Sequence, residues 1–214
     1  MAQIVPAILE KTKEGFVDKL ARLTKLPGVE RIQVDFGDGI FVPNAMLPVT
    51  EMEVLNPAFH FEAHLMVSEP TDFFDYQLSG FKTILVHYEA FPNAAELRQS
   101  LANIKAAGLK PGICLKNETP VTVLQEFYPE VEQFQLMGIV PGFQGQAFLE
   151  DTYERVIQLR KLLPNAIIEV DGGVSAANAG RLAKSGADLL IAGSALLKAS
   201  DLQAAYEQLL QEIK

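Results

Sequence analysis

The sequence predicts an α/β chain folded as a single (β/α)8 barrel, the TIM-barrel class, over residues 1–214, and three observations predict it. Eight short β-branched, apolar runs alternate with longer segments of helical period, the pattern of repeated βαβ units. Several runs are apolar at nearly every position, Ile84-Leu85-Val86 and Leu189-Leu190-Ile191-Ala192 among them, as strands covered on both faces require. Eight such units in 214 residues favour a sheet that closes over one that stays open.

In chain order the predicted strands are 3–9, 29–36, 61–67, 82–87, 112–115, 133–139, 166–170 and 188–192. The predicted helices are 14–26, 94–107, 149–163, 176–184 and 201–212, with weaker ones at 71–78 and 121–128. Their ends carry recognisable signals: Gly108 and Gly186 stand where a left-handed C-cap is wanted, and Asp201 is placed to cap the last helix. The stretch 41–56, with Pro43 and Pro48, reads mostly as loop, of a length that at a barrel mouth is commonly functional.

Composition narrows the function. Hydrophobic residues make up 49% and charged residues 21%, enough for a large core and unlike a disordered chain. A net charge of -9 argues against a general nucleic-acid or anionic-membrane binder, since those surfaces need clustered Lys and Arg. Any anion must then be held by local groups. No run approaches the roughly 18 apolar residues of a membrane span, and the N-terminus lacks a signal-peptide pattern, so a cytoplasmic protein is expected. One cysteine, Cys114, allows no internal disulfide and sits in an apolar run as a core residue would.

In such barrels the reacting groups stand at the C-terminal ends of strands. Here those ends are acidic and His-bearing: Gln33 and Asp35, then His64, His87, Lys116-Asn117 and Asp171. A strand period of two puts Gln33 and Asp35 on one face and Glu62 and His64 on one face. Converging Gln, Asp, His and Asp would suit a divalent metal, and two opposed carboxylates would suit proton transfer at carbon. Each residue also has a bland explanation. A strand-end Asp often only shapes the following turn, His87 can simply satisfy backbone, and Lys116 reads as surface before it reads as a Schiff-base lysine. His60, ahead of its strand, reads as ordinary surface.

A second cluster is glycine-rich: Pro141-Gly142-Phe143-Gln144-Gly145-Gln146, Asp171-Gly172-Gly173-Val174 and Ala192-Gly193-Ser194-Ala195, after strands six, seven and eight. Glycine turns there let backbone N–H groups cradle a phosphate without side-chain charge. Gly142, Gly145, Gly172, Gly173, Gly193 and Ser194 are therefore the expected phosphate contacts.

Taken in order, the motifs from Asp35 to Asn44, His64-Leu-Met-Val67 with Pro70, His87-Tyr-Glu-Ala90, the run from Val140 to Phe148, Val170-Asp-Gly-Gly-Val174 with Asn178, and Ala192-Gly-Ser-Ala195 resemble those of the ribulose-phosphate 3-epimerases along nearly the whole chain. The resemblance implies a barrel with a ribulose-phosphate-binding type of phosphate site. It implies reversible epimerisation of a ketose phosphate at C3 through an enediolate, with Asp35 and Asp171 as the two acids. It further implies a divalent metal held by Asp35, His64 and Asp171, a pocket that includes Met66, Met137, His87 and Ala7, and a cytoplasmic homo-oligomer. Departures fall at the site. Gln33 replaces a metal-ligand His, and its amide oxygen suits magnesium or manganese better than zinc. Ala7 replaces a Ser, Gly37 a Met, Ile40 a His, Val140 an Asn and Gln144 a Gly. Two alternatives therefore stand beside the epimerase: an isomerase or lyase for another phosphorylated sugar, and a phospho-ligand binder without turnover.

Overall fold

A computed structural model describes residues 2–142 and 146–214. Its strands are β1 (Gln3–Leu9), β2 (Arg31–Gly37), β3 (His60–Met66), β4 (Thr83–His87), β5 (Lys110–Leu115), β6 (Gln133–Met137), β7 (Ile167–Asp171) and β8 (Leu189–Ala192). They form a closed barrel in sequential order, and β1 pairs in parallel with both β2 and β8, so the fold class is as expected. The helices are α1 (Lys13–Leu23), α2 (Phe74–Leu78), α3 (Ala94–Ala106), α4 (Thr152–Leu162), α5 (Ala179–Ser185), α6 (Ser194–Leu197) and α7 (Leu202–Glu212). No helix among the described residues is long and apolar enough to cross a membrane.

The chain's contacts fall into two compact units, Met1–Pro6 with Cys114–Lys214, and Ala7–Ile113. Within Ala7–Ile113, β2, β3 and β4 are in register with Gln33 beside Glu62, Asp35 beside His64, and His64 beside Leu85. The opposite face of these strands is apolar. Phe36 packs edge-on against Tyr76 of α2 at 5.0 Å and against Phe81 at 5.7 Å, and Phe61 lies 6.4 Å from Phe81. Burial among these rings pushes the Tyr76 hydroxyl well above its ordinary pKa. Within the other unit, β6, β7 and β8 run Gln135 beside Glu169, Met137 beside Asp171, and Asp171 beside Ile191.

Capping explains the helix limits. Thr12 accepts from Gly15 N at 3.2 Å, Asn93 accepts from Ala95 and Glu96 N at 3.0 Å, and Asp201 accepts from Ala204 N at 3.0 Å. Gly186 caps α5 at φ 112°, and Gly108 follows α3 at φ 78°, as their glycines foretold. Several limits differ from expectation: the helix expected at 14–26 ends at Leu23 and the weak one at 71–78 starts at Phe74. The helix expected at 149–163 starts at Thr152, and Leu149 N instead bonds Gly138 O at 2.9 Å. The helix expected at 176–184 starts at Ala179, because the Asn178 side chain ties up the turn before it. The weak helix at 121–128 is a 3-10 helix, Val121–Phe127, entered from Pro120.

A single arginine fastens the N-terminal ends of β7 and β8. Arg160 of α4 donates to Gly186 O at 2.8 Å, Pro164 O at 2.9 Å, Ala166 O at 2.7 Å and Asp188 Oδ2 at 2.5 Å. Asp188 in turn accepts from Ile168 N at 2.8 Å.

Candidate functional site

Two clusters of buried polar groups stand at the strand ends that the sequence singles out. The first belongs to β2, β3 and β4. Gln33, His64 and His87 are wholly buried and Asp35 is 7% exposed, so each polar atom there needs a partner. Gln33 Nε2 donates to Asp35 Oδ1 at 2.7 Å and lies 3.4 Å from His64 Nδ1. His64 Nδ1 is 3.0 Å from Asp35 Oδ1, and His64 Nε2 is 2.9 Å from His87 Nε2. The two imidazoles are stacked, with centroids 5.1 Å apart. The register sets this up, since Asp35 and His64 are direct neighbours and Gln33 precedes Asp35 by one strand period. Met66 shares the His64 face and is 2% exposed, while Ala7 is paired with Gln33 across β1 and β2.

The loop after β2 is pinned beside this cluster. Asp38 Oδ1 accepts from Ile40 N and Phe41 N, both at 2.8 Å, and Oδ2 accepts from Ser68 N and Ser68 Oγ, both at 2.7 Å. Burial acts against the ionised carboxyl, but these four donors outweigh it and hold its pKa down at about 2. The clasp lays Phe41 over the His87 ring at 4.8 Å. Asp38 was not singled out in the sequence as a site residue, although an Asp followed by Gly after a strand is the usual signal of such a turn.

The second cluster belongs to β6 and β7. Asp171 ends β7 at 8% exposure, and its Oδ2 receives Gln135 Nε2 at 3.4 Å. Gln135 also reaches Cys114 Sγ at 3.6 Å, and Cys114, Met137 and Ile139 form one buried patch, so Cys114 is the core residue expected. Sequence reasoning missed Gln135. A glutamine inside an apolar run, Phe134-Gln-Leu136, is its only signal.

Around Asp171 the glycines behave as a tight backbone cradle. Gly172 has φ 101° and Gly173 φ 70°, and a Cβ on Gly172 would run into the Ile139 side chain. Asn178 holds the turn from both sides, donating to Gly173 O at 2.9 Å and accepting from Ser175 N at 2.8 Å. Gly142 has φ 122°, and Gly193 leads into α6, whose first residue is Ser194. Gln144 and Gly145 lie outside the described residues. Gly172→Ala is expected to lower stability by about 1–3 kcal/mol, through a strained φ together with the clash, measured by urea denaturation.

One residue read from the sequence stands differently in the structure. His60 opens β3 rather than preceding it and is half-buried: its Nε2 lies 2.8 Å from Thr83 Oγ1, and burial, with Arg31, Lys110 and Lys82 nearby, lowers its pKa to about 4. Lys116 stands just past β5 and supplies its backbone carbonyl to Arg155 Nη2 at 2.8 Å.

A model of the ribulose-phosphate 3-epimerase family matches residues 3–197. The chain is 30% identical over 217 residues to a ribulose-phosphate 3-epimerase of Bacillus subtilis, covering 98% of both chains. It is 34% identical over 200 residues to the chloroplastic ribulose-5-phosphate-3-epimerase of Arabidopsis thaliana, covering 90% of this chain and 69% of that one. A crystal structure of 3-hexulose-6-phosphate synthase from Salmonella typhimurium superposes with TM-score 0.72 over 99% of this chain and 98% of the other, at 16% identity, which speaks to the fold alone.

Proposed function

From the premise that the chain belongs to the ribulose-phosphate 3-epimerase family, we propose that it epimerises a ketose phosphate at C3, with Asp35 and Asp171 as the two proton carriers. The observation that carries this reading is Asp35, a carboxylate only 7% exposed that is held by Gln33 and His64. A buried carboxylate with fixed partners is aimed rather than solvated, as a general base must be. Asp171 is its counterpart, steadied by Gln135 and followed directly by the glycine turn.

In one direction the Asp35 carboxylate takes the C3 proton, the C3–H electron pair moves into a C2–C3 double bond, and the carbonyl oxygen becomes an enediolate oxygen. Asp171, entering as the acid, returns a proton to C3 from the other side. The two carboxyls exchange protonation states in each turnover, and the reverse reaction uses them in the opposite roles. Gly142, Gly145, Gly172, Gly173, Gly193 and Ser194 hold the phosphate through backbone N–H groups, which fixes C3 between the acids. Met66, Met137, His87 and Ala7 complete the pocket.

The donors fit a divalent ion. Asp35 and His64, neighbours within Ala7–Ile113, are a buried carboxylate and imidazole that could hold one, and Asp171 matches the family's further ligand position. When bound, such an ion supplies Lewis-acid stabilisation of the oxyanion. Gln33 is the exception, because its amide N–H rather than its oxygen faces Asp35 at 2.7 Å. The opposite orientation would set two oxygens at that distance. Gln33 is thus a donor that steadies the carboxylate, and it must turn over to serve as a ligand. Gln33→His is expected to raise divalent-metal affinity by about tenfold or more, the scale on which even outer partners of ligands act, as measured by calorimetric titration of manganese or zinc. Unchanged affinity would mean the pocket has been rebuilt around the amide.

Ala7 favours a second reading. It is 2% exposed beside Gln33, where the family's hydroxyl is missing, and a site without that hydroxyl suits a different phosphorylated sugar better. Kinetics across several ketose phosphates separate the two readings: kcat/KM highest for ribulose 5-phosphate supports the first, and a maximum elsewhere supports the second. Binding without turnover of any of them would mark a phospho-ligand binder.

A further inference from the structure

At the end of the strands opposite Asp35, His64 and His87, each of β2 to β5 is entered through a basic residue. Arg31 opens β2 and His60 opens β3, and the two are direct partners across the sheet. Lys82 stands just ahead of β4 with its backbone N–H on Phe61 O at 2.9 Å, and Lys110 opens β5 with its N–H on Lys82 O at 2.9 Å. Neighbouring strand starts thus carry Arg, His, Lys and Lys in a chain whose net charge is -9.

Few acids answer these charges. Glu62, fully buried two residues along β3, accepts from Arg31 Nη1 at 2.9 Å. Glu30 precedes Arg31 and is exposed, and its backbone carbonyl takes His60 N–H at 2.7 Å. Lys82 Nζ donates to a neutral acceptor, Pro57 O at 2.9 Å. The exposed Lys110 ammonium has no hydrogen bond or ion pair among the described residues. The half-buried His60 ring reports the result: burial comes first among the causes that lower its pKa, and the charges acting on it, Arg31, Lys110 and Lys82, are all cationic.

We propose that Arg31, His60, Lys82 and Lys110 form a binding site for a phosphate-class oxyanion at the N-terminal ends of β2 to β5. A tetrahedral oxyanion offers several acceptors at once, which suits donors that arrive from separate strands, and charge-assisted bonds to it are the strong kind. It also supplies the negative charge that this cluster lacks. A seated anion favours the protonated imidazole, so it raises the His60 pKa, and by the same linkage it binds more tightly as pH falls through that pKa. The site shares no residue with the proposed pocket and does not rest on the proposed reaction.

The His60 ring signals are followed by NMR in sulfate, whose charge is constant across the pH range, and in chloride at matched ionic strength. Sulfate is expected to displace them saturably, with affinity rising about tenfold as His60 becomes protonated. Lys110→Gln, at an exposed position, is expected to weaken that binding about three- to fivefold, and Lys82→Gln likewise. Inorganic phosphate and ribulose 5-phosphate, titrated the same way at neutral pH, distinguish the source. Tighter uptake of the free ion marks an inorganic-phosphate site and tighter uptake of the ester marks a sugar-phosphate site, and either supports the proposal. An equal displacement in chloride would reduce the cluster to charge screening and overturn it. So would sulfate affinity unchanged in both lysine variants, or anion binding seen by calorimetry while the His60 signals stay still.

Discussion

Asparagine in place of Asp35 or Asp171 is expected to lower kcat for C3 epimerisation by about 10²–10⁴-fold each, with near-wild-type folding, as measured by a coupled assay and circular dichroism. The substitution is nearly isosteric, so the loss isolates the proton. An amide can still accept from Gln33 or Gln135, which keeps both clusters assembled. It can neither remove the C3 proton nor return one. If each turnover uses both groups, as proposed, the double variant should be scarcely slower than the worse single variant, as expected of groups that act as a unit. Additive losses would mean that the two carboxyls work independently, and a mild effect at either position would remove that residue from the proton path.

The second large effect concerns stability and lies far from the chemistry. Arg160→Ala is expected to cost about 3 kcal/mol and to lower Tm by roughly 6–12 °C. The guanidinium serves carbonyls of Gly186, Pro164 and Ala166 as well as Asp188, and its removal leaves those acceptors to find water in a half-buried place. Its stem also lies over Gly186, where a Cβ would come within 3.0 Å of Arg160 Cγ. Arg160→Lys should recover only a small part of the loss, because an ammonium cannot present the planar fork that meets several carbonyls at once. Differential scanning calorimetry reads both variants directly. Turnover at low temperature should be nearly unchanged, since nothing in this fastening touches the strand ends that carry the acids.

The difference between these two effects follows what was legible in the sequence. Asp35, His64 and Asp171 could be found because a strand period of two and an abrupt stop in an apolar run are local signals, and the structure puts Asp35 and His64 in register within hydrogen-bond distance. All eight strands were legible for the same reason, with limits off by one or two residues where a turn hydrogen bond competes, as at Val29, whose N–H is taken by Leu26 O. Arg160 was not legible. It is an ordinary last-turn basic residue by position, and its partners, three backbone carbonyls and the Asp188 carboxylate, lie in the segments leading into β7 and β8. His60's place was not legible because its strand begins one residue before the apolar run, and its partner, Thr83, comes from the next strand. Gln135 and Asp38 belong to the same kind: single polar residues whose role is set by a neighbour that only the folded chain supplies.

Gln33 is the one residue where motif and geometry give different emphasis. From the sequence it is a missing ligand. In the structure it donates to Asp35, so on the proposed reading the position offers the base a hydrogen bond where a ligand is expected.

The central claim, proton transfer at C3 between Asp35 and Asp171, is tested most directly by incubating the protein with ribulose 5-phosphate in deuterated water and following C3 by NMR. Epimerisation accompanied by deuterium at C3 of the product, lost in Asp35→Asn and in Asp171→Asn, is the expected result. No deuterium at C3 under any metal loading would contradict it.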